Sequence, residues 1–172
     1  DAEAAYEINC PGDFGILVTV GTGVICLSRN SRGETVRVAG LGHDAGDMGS
    51  GYWMGKQAIL NLTLNESSVM GDKDLEEIMD IFLQSVSEVD FQTALENIQE
   101  SEDSVQIIAQ LAESVIQLAE AGNNVALSVV QEATHSVANY IILLAEKLNY
   151  SQKNIVLAGN GSIIRNDYFR SS

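Results

Sequence analysis

The chain is short of basic residues, cysteine and proline. Nine Lys and Arg stand against 24 Asp and Glu, a formal net charge of −15, which excludes nucleic acid and an anionic membrane as bulk partners. A small anionic ligand is still compatible with this charge, because backbone N–H groups can hold a phosphate without Lys or Arg. The two cysteines, Cys10 and Cys26, are too few for a disulfide framework or a four-thiolate metal site.

Long apolar runs are also missing. No stretch approaches the roughly 18 apolar residues of a membrane span, and no secretory signal is recognisable. We therefore expect a cytoplasmic protein with no membrane partner. The 172 residues are 45% hydrophobic, which is enough for a packed core and corresponds to one domain or one lobe of a larger enzyme.

The first fifty residues have the pattern of β-structure, and we expect the chain to enter a strand almost at once. Apolar or alternating runs predict strands at Phe14–Val20, Val24–Arg29 and Thr35–Ala39. Gly21-Thr22-Gly23 separates the first two, and a polar turn at 30–33 separates the second from the third. Three strands with such short connections predict an antiparallel β-β-β meander.

The rest of the chain is mostly helical in pattern. Apolar spacing predicts helices at Tyr52–Leu62, Lys73–Val86 and Asp90–Gln99, another from Val105 to Ala119, and a long one of about 25 residues from Ala126 to Leu148. Asn154–Ala158 is predicted as a short buried strand, and a further helix begins near Asn166. The order of strands and helices predicts an α/β fold with a mixed sheet.

Three glycine-containing segments are candidates for chemistry. In Thr19–Gly23 a strand enters a Gly-Thr-Gly turn, where backbone amides can approach an anion closely, although a plain β-hairpin fits the same letters. Ile155–Arg165 runs from a strand into a second glycine turn, and open α/β sheets bind ligands at the carboxyl ends of their strands. A plain strand-to-helix turn is the alternative there.

The most specific of the three segments is the loop Gly40–Gly51. It combines glycine with His43, Asp44 and Asp47, and a carboxylate in such a loop suits hydrogen bonding to substrate hydroxyls. Because a helix follows directly, we expect its N-terminus to face the bound group. A metal site at the three side chains and an ordinary glycine-rich connection remain alternatives; orienting the loop is the more plausible role of His43.

Together the three segments resemble one family. GLGHDAGDMGSGYWMGKQA (Gly40–Ala58) is similar to the sugar loop of the BadF/BadG/BcrA/BcrD ATPase family in its N-acetylglucosamine-kinase-like branch, within the actin, hexokinase and heat-shock-protein superfamily. Asp1-Ala2, Gly21-Thr22-Gly23, AEAGNNVA (Ala119–Ala126) and IVLAGNGSIIRNDYF (Ile155–Phe169) match in the same order. The resemblance implies a ribonuclease H-like (actin-like ATPase) fold with a meander, a helical insert at about 52–122, a long helix and a further strand.

The resemblance also implies roles for individual residues. Asp1 corresponds to the catalytic general base. Gly40, Leu41, Gly42 and Asp47 correspond to sugar-binding positions. ATP-binding positions are implied at Gly21, Thr22, Gly23, Ala109, Gly159, Asn160 and Ser162. The implied activity is ATP- and Mg²⁺-dependent phosphorylation of an amino sugar, without a protein metal site, and family members are often dimers, so a homodimer is an expectation.

Several departures from the family pattern keep other functions open. Leu41 stands in place of a Trp, Met48 in place of a Glu, Asn123 in place of an Asp, and Gly159-Asn160-Gly161 in place of a Gly-Gly pair. No segment matches the family's first phosphate loop, so we expect residues 1–172 to be a C-terminal lobe that does not turn over ATP alone. The alternatives are an ATPase activator of a 2-hydroxyacyl-CoA dehydratase or benzoyl-CoA reductase system, and a non-catalytic sugar- or nucleotide-sensing protein.

Overall fold

The protein contains one mixed four-stranded sheet. A computed structural model of the chain describes residues 2–10, 15–43, 46–150 and 155–172. The strands are β1 (Gly15–Val20), β2 (Val24–Arg29), β3 (Thr35–Ala39) and β4 (Val156–Asn160), arranged in the order β3-β2-β1-β4. The three meander strands pair antiparallel and β4 joins β1 in parallel, with Val18 opposite Cys26 on one side and Gly159 on the other. The predicted meander and mixed sheet are confirmed.

The helices follow the predicted order. They are α1 (Ala2–Asn9), α2 (Gly51–Leu64), a 3-10 turn (Glu66–Ser68), α3 (Lys73–Val86), α4 (Phe91–Glu100), α5 (Ser104–Glu120), α6 (Asn124–Lys147) and α7 (Asp167–Ser171). Within the described ranges, no helix combines the length and apolarity that a membrane crossing requires.

The two faces of the sheet pack against different layers. Ile16, Val18 and Val20 point into the main core, which also holds the apolar faces of the helices from α2 to α6. Leu17 points to the opposite face, where a small cluster with Tyr6 of α1 covers it. Burial of β1 on both faces explains its continuous apolar sequence, because a strand covered on one face alone would alternate.

A close contact between α2 and α5 fixes the helical layer over the sheet. A Cβ added at Gly55 would lie 1.9 Å from the carbonyl oxygen of Ile108, and one at Gly51 would lie 3.0 Å from the carbonyl oxygen of Gly21. Only glycine permits this approach of the two backbones. The start of α2 is thereby held against both α5 and the β1–β2 turn.

Two sequence-based expectations are wrong. Residues Ala2–Asn9 form α1 rather than the beginning of a β segment. The strand near residue 156 is an exposed edge strand, because Val156 and Leu157 are 53% and 58% exposed with no further strand beside β4 in the described chain.

Candidate functional site

A cavity of about 320 Å³ opens between the β1–β2 turn, α5 and the segment that links β4 to α7. Its lining residues come from all three elements: Gly21, Thr22, Gly51, Gln106, Ala109, Gln110, Glu113, Ile116, Ser162, Ile163 and Asn166. Four of the positions that the family resemblance predicts for ATP, Gly21, Thr22, Ala109 and Ser162, therefore lie around one cavity. They are separated by up to 141 positions in the sequence, and only the fold brings them together.

Gly21 and Thr22 of the turn Gly21–Gly23 line this cavity. The carbonyl oxygens of Gly21 and Thr22 accept from the backbone N–H groups of Gly51 (2.7 Å) and Tyr52 (3.1 Å), which anchors the turn to α2. The backbone N–H groups of Thr22 and Gly23 donate to no other group in the described part of the chain. Thr22 Oγ1 donates to Gln106 Oε1 at 3.3 Å. Such a turn can bind an anion through its amides.

The N-terminus of α2 borders the cavity through Gly51, but its first N–H groups already donate to other groups of the protein. Gly51 and Tyr52 donate their N–H groups to the β1–β2 turn, and the fully buried Ser50 side chain accepts from Trp53 N at 3.2 Å. These bonds satisfy the donors that a helix start leaves unpaired. The helix start positions the turn, and the turn carries the free amides.

Asp47, in the glycine-rich loop, lies beside the β1–β2 turn. Its Oδ1 is buried without a hydrogen-bond partner among the described residues, and its Oδ2 is 2.9 Å from the point where a Cβ on Gly23 would sit. An unpaired buried carboxylate oxygen is costly in the free protein. It is therefore suited to accept a hydrogen bond from a ligand that carries hydroxyl groups.

The rest of the glycine-rich loop is hydrogen-bonded to α6, and two of its apolar side chains are exposed. Tyr140 Oη of α6 donates to the Gly46 carbonyl oxygen at 3.1 Å, and partial burial raises the pKa of this phenol. Leu41 and Met48 are 67% and 50% exposed. Gly40 and Gly42 have positive φ angles, which glycine adopts without strain.

The other two candidate side chains of the glycine-rich loop are those of His43 and Asp44. The His43 ring contacts the Tyr52 ring edge-to-face at 5.1 Å, a contact that ties the loop to the start of α2. Asp44 lies outside the described residues. The described chain contains no group of three or more His, Cys, Asp or Glu side chains that could hold a metal ion.

Two predicted ATP positions lie away from the cavity. Gly159 borders a separate hollow beside β4, and Asn160 Oδ1 accepts from Arg165 Nη2 at 3.3 Å. The residue that shapes this turn is Gly161, with φ of 96° and its Cα so close to β1 that an added Cβ would be 2.3 Å from Val20 O. This geometry lets Ile163 N donate to Val20 O at 3.1 Å, and it places Ser162 in the cavity wall.

Two further predicted positions, Gly23 and Asp1, are not among the described residues that line the cavity. Gly23 adjoins Asp47 rather than the cavity wall. Asp1, the predicted general base, lies outside the described residues. Sequence reasoning missed Gln106, Gln110 and Glu113. They lie on the polar face of the amphipathic α5, a pattern that normally indicates contact with solvent.

The structure is an α/β fold with a cavity between a glycine-containing turn and a helix. The chain belongs to the BadF/BadG/BcrA/BcrD ATPase family, which it matches over residues 3–168. It is 33% identical over 168 residues to the N-acetylmuramic acid/N-acetylglucosamine kinase of Clostridium acetobutylicum, covering 96% of this chain and 53% of that protein. It is 26% identical over 154 residues to the N-acetyl-D-glucosamine kinase of Dictyostelium discoideum, covering 89% and 48%.

Two solved structures have folds similar to that of this chain. The putative N-acetylglucosamine kinase of Chromobacterium violaceum has a TM-score of 0.72 at 20% identity, covering 95% of this chain and 51% of that one. The putative N-acetylglucosamine kinase of Porphyromonas gingivalis has a TM-score of 0.67 at 20% identity, covering 97% and 53%. The chain spans about half the length of the relatives that it matches.

Proposed function

We propose that the chain is the C-terminal lobe of an ATP-dependent amino-sugar kinase, acting on a sugar of the N-acetylglucosamine or glucosamine type. The observation that carries this proposal is the position of Asp47 against Gly23. Asp47 Oδ2 lies beside Gly23, and Asp47 Oδ1 and the N–H groups of Thr22 and Gly23 have no hydrogen-bond partner among the described residues. An acceptor hydroxyl bound by Asp47 would thus be next to a phosphate bound by the turn.

The cavity supports the nucleotide half of the reaction. In the proposal, the N–H groups of Thr22 and Gly23 and the Thr22 hydroxyl hold phosphate oxygens, and the nucleoside occupies the space between α5 and Ser162. Mg²⁺ arrives with the ATP phosphates and offsets their negative charge. The lack of a three-residue metal cluster among the described residues is compatible with an ion that enters on its substrate.

The glycine-rich loop supports the sugar half. Asp47 accepts a hydrogen bond from a sugar hydroxyl, with Gly40, Leu41 and Gly42 forming the neighbouring surface. The acceptor oxygen attacks the γ-phosphorus, the bond from that phosphorus to the ADP oxygen breaks, and a carboxylate takes the hydroxyl proton. For this last role we propose Asp1, on the family resemblance alone. The catalysis consists mainly of positioning and charge stabilisation.

The test is ADP release by the full-length protein with Mg-ATP and a panel of sugars. N-acetylglucosamine, glucosamine, N-acetylmannosamine, N-acetylmuramic acid and glucose are compared, with Asp1→Asn and Asp47→Asn as variants. We expect ADP release that depends on one or more amino sugars and is lost in Asp1→Asn. ADP release that no sugar affects would indicate the activator type of ATPase. Sugar binding without ADP release would indicate a sensing protein, and either outcome would overturn the kinase proposal.

A further inference from the structure

Glu113 is the one charged side chain that lines the cavity in the described part of the chain. The other lining residues are glycines, hydroxyl or amide residues, and aliphatic residues. Glu113 is exposed, and its carboxylate makes no hydrogen bond or ion pair to any described residue. A single carboxylate in a cavity that we propose binds a nucleoside polyphosphate needs an explanation, because its negative charge repels the phosphate groups.

Helix geometry places Glu113 away from the phosphate turn. Gln106, which accepts from Thr22, marks the end of α5 next to the turn. Glu113 follows seven residues later, two turns along nearly the same helix face, which corresponds to about 10 Å at 1.5 Å per residue. The carboxylate is therefore at the distance of the nucleoside, while the phosphates are held at the turn.

The order of side chains along α5 indicates which part of the nucleoside meets Glu113. From the turn outward along α5, the cavity wall presents Gln106, then Ala109 and Gln110, then Glu113, and last the apolar Ile116. A nucleotide has phosphate, ribose and base in the same order. An apolar end suits the flat face of a base, and the carboxylate before it lies at the level of the sugar.

We propose that Glu113 accepts hydrogen bonds from the 2′- and 3′-hydroxyls of the ribose, so that this site selects ribonucleotides over deoxyribonucleotides. Two carboxylate oxygens match two neighbouring hydroxyl donors, and a hydrogen bond to a charged group is among the stronger ones. The inference rests on the proposed function insofar as that function assigns a nucleotide to this cavity. It adds a residue that selects the ligand by its sugar, irrespective of the base.

Equilibrium binding to the full-length protein tests this inference without requiring turnover. Affinities are measured for ATP, 2′-deoxyATP, 3′-deoxyATP and inosine triphosphate, which lacks the exocyclic amine of adenine. We expect the wild type to bind ATP about tenfold or more tightly than either deoxynucleotide, since each lost hydrogen bond to a charge costs about one factor of ten. Inosine triphosphate should bind about as well as ATP.

The variants separate a ribose contact from other roles. In Glu113→Ala the affinity for ATP should fall to that of the deoxynucleotides, whose own affinities should change less than about threefold. Glu113→Gln should retain part of the preference, because an amide oxygen still accepts one hydrogen bond. Glu120→Gln, which removes the same charge from the exposed end of α5 outside the cavity lining, should behave as the wild type.

Two results would overturn the inference. An equal loss of affinity for ATP and both deoxynucleotides in Glu113→Ala would show that the residue does not contact the ribose. A preference for ATP over inosine triphosphate that disappears in Glu113→Ala, while the preference over the deoxynucleotides remains, would assign Glu113 to the base. ATP binding without sugar phosphorylation would reject the kinase proposal while these affinities still decide the ribose contact, and absence of ATP binding would reject both.

Discussion

The side-chain amide of Asn123 joins α6 to α3 by donating to Glu77. Asn123 Nδ2 lies 2.9 Å from Glu77 Oε2 and 2.9 Å from the Asp74 carbonyl oxygen, while its Oδ1 caps α6 by accepting from Ala126 N at 2.9 Å. The side chain is 3% exposed. The family pattern has Asp at this position, and an aspartate could cap the helix but could not donate to Glu77. The neighbouring carboxylate therefore explains the departure.

Asn123→Asp should destabilise the fold. The change removes two hydrogen bonds donated by a buried side chain and places a second carboxylate beside that of Glu77, which should lower the unfolding free energy at pH 7. Chemical denaturation measures this change in unfolding free energy. The double variant Asn123→Asp with Glu77→Gln restores a donor across the contact and should recover part of the loss. A single variant as stable as the wild type would show that the contact does not hold α3 to α6.

The same contact predicts a dependence of stability on pH. The hydrogen bond from Asn123, followed by Lys73, lowers the pKa of Glu77 below its usual value of 4.5. A carboxyl whose folded pKa is depressed contributes stability above the unfolded pKa and loses it as the pH falls through the folded pKa. The unfolding free energy of the wild type should therefore drop more below pH 4.5 than that of Glu77→Gln. Parallel curves for the two proteins would contradict this linkage.

Local patterns predicted most secondary structure. The bounds of α3 were predicted as observed because Asp72 caps its start and its apolar residues repeat with helical spacing. The helix α1 was missed because eight residues with small Ala side chains give little periodic signal. The exposure of β4 was missed because the burial of a strand depends on which elements lie beside it, and a short apolar run does not encode its neighbours.

The candidate site was only partly predictable for a related reason. Gly21, Thr22 and Ser162 carry turn signals that are readable in sequence, and their meeting at one cavity follows from the parallel pairing of β1 with β4. Glu113 carries no such signal, because a polar residue facing a cavity and one facing solvent look alike on an amphipathic helix. The conformation of Gly161 depends on the nearby β1 backbone, which lies far away in sequence.

Gly161→Ala should disrupt the turn that places Ser162 in the cavity. An added Cβ would be 2.3 Å from Val20 O, and the φ of 96° is unfavourable for alanine. The left-handed conformation alone costs about 1–3 kcal/mol, so a lower melting temperature and weaker nucleotide binding are expected. Gly159→Ala is the matched control, since its Cβ would be 3.2 Å from Cγ1 of Ile164 and would contact side-chain atoms rather than backbone. Equal behaviour of the two variants would argue against a special role for Gly161.

The two cysteines should be unreactive in the folded protein. Cys26 is buried in the main core and Cys10 in the small cluster on the other face of the sheet. Burial raises the pKa of the Cys26 thiol to about 12 and also raises that of Cys10, so the reactive thiolate is scarce at pH 8. Titration with a chromogenic disulfide reagent should detect two thiols after unfolding and almost none before. Rapid reaction of the native protein would contradict the burial of these thiols.

Asp47→Asn should lower sugar-dependent ADP release without lowering the stability of the protein. Because Asp47 Oδ1 is buried without a partner among the described residues, the carboxylate gains little in the free protein. Asparagine keeps the shape and removes the charge, so the melting temperature should stay the same or rise, as expected where a binding residue is held at a cost to stability. Sugar-dependent ADP release should fall by a factor of ten or more, since a hydrogen bond from a sugar hydroxyl to a charged acceptor is lost.

The matched control is Asp80→Asn, the same chemical change at an exposed position of α3, which should alter neither quantity. Nucleotide affinity measured in parallel should be nearly unchanged in Asp47→Asn, because the residue is placed on the sugar side of the turn. A variant that melts earlier yet phosphorylates sugar normally would make Asp47 a structural residue of the loop. In that case the juxtaposition with Gly23 would stabilise the turn, and the acceptor hydroxyl would have to be bound elsewhere.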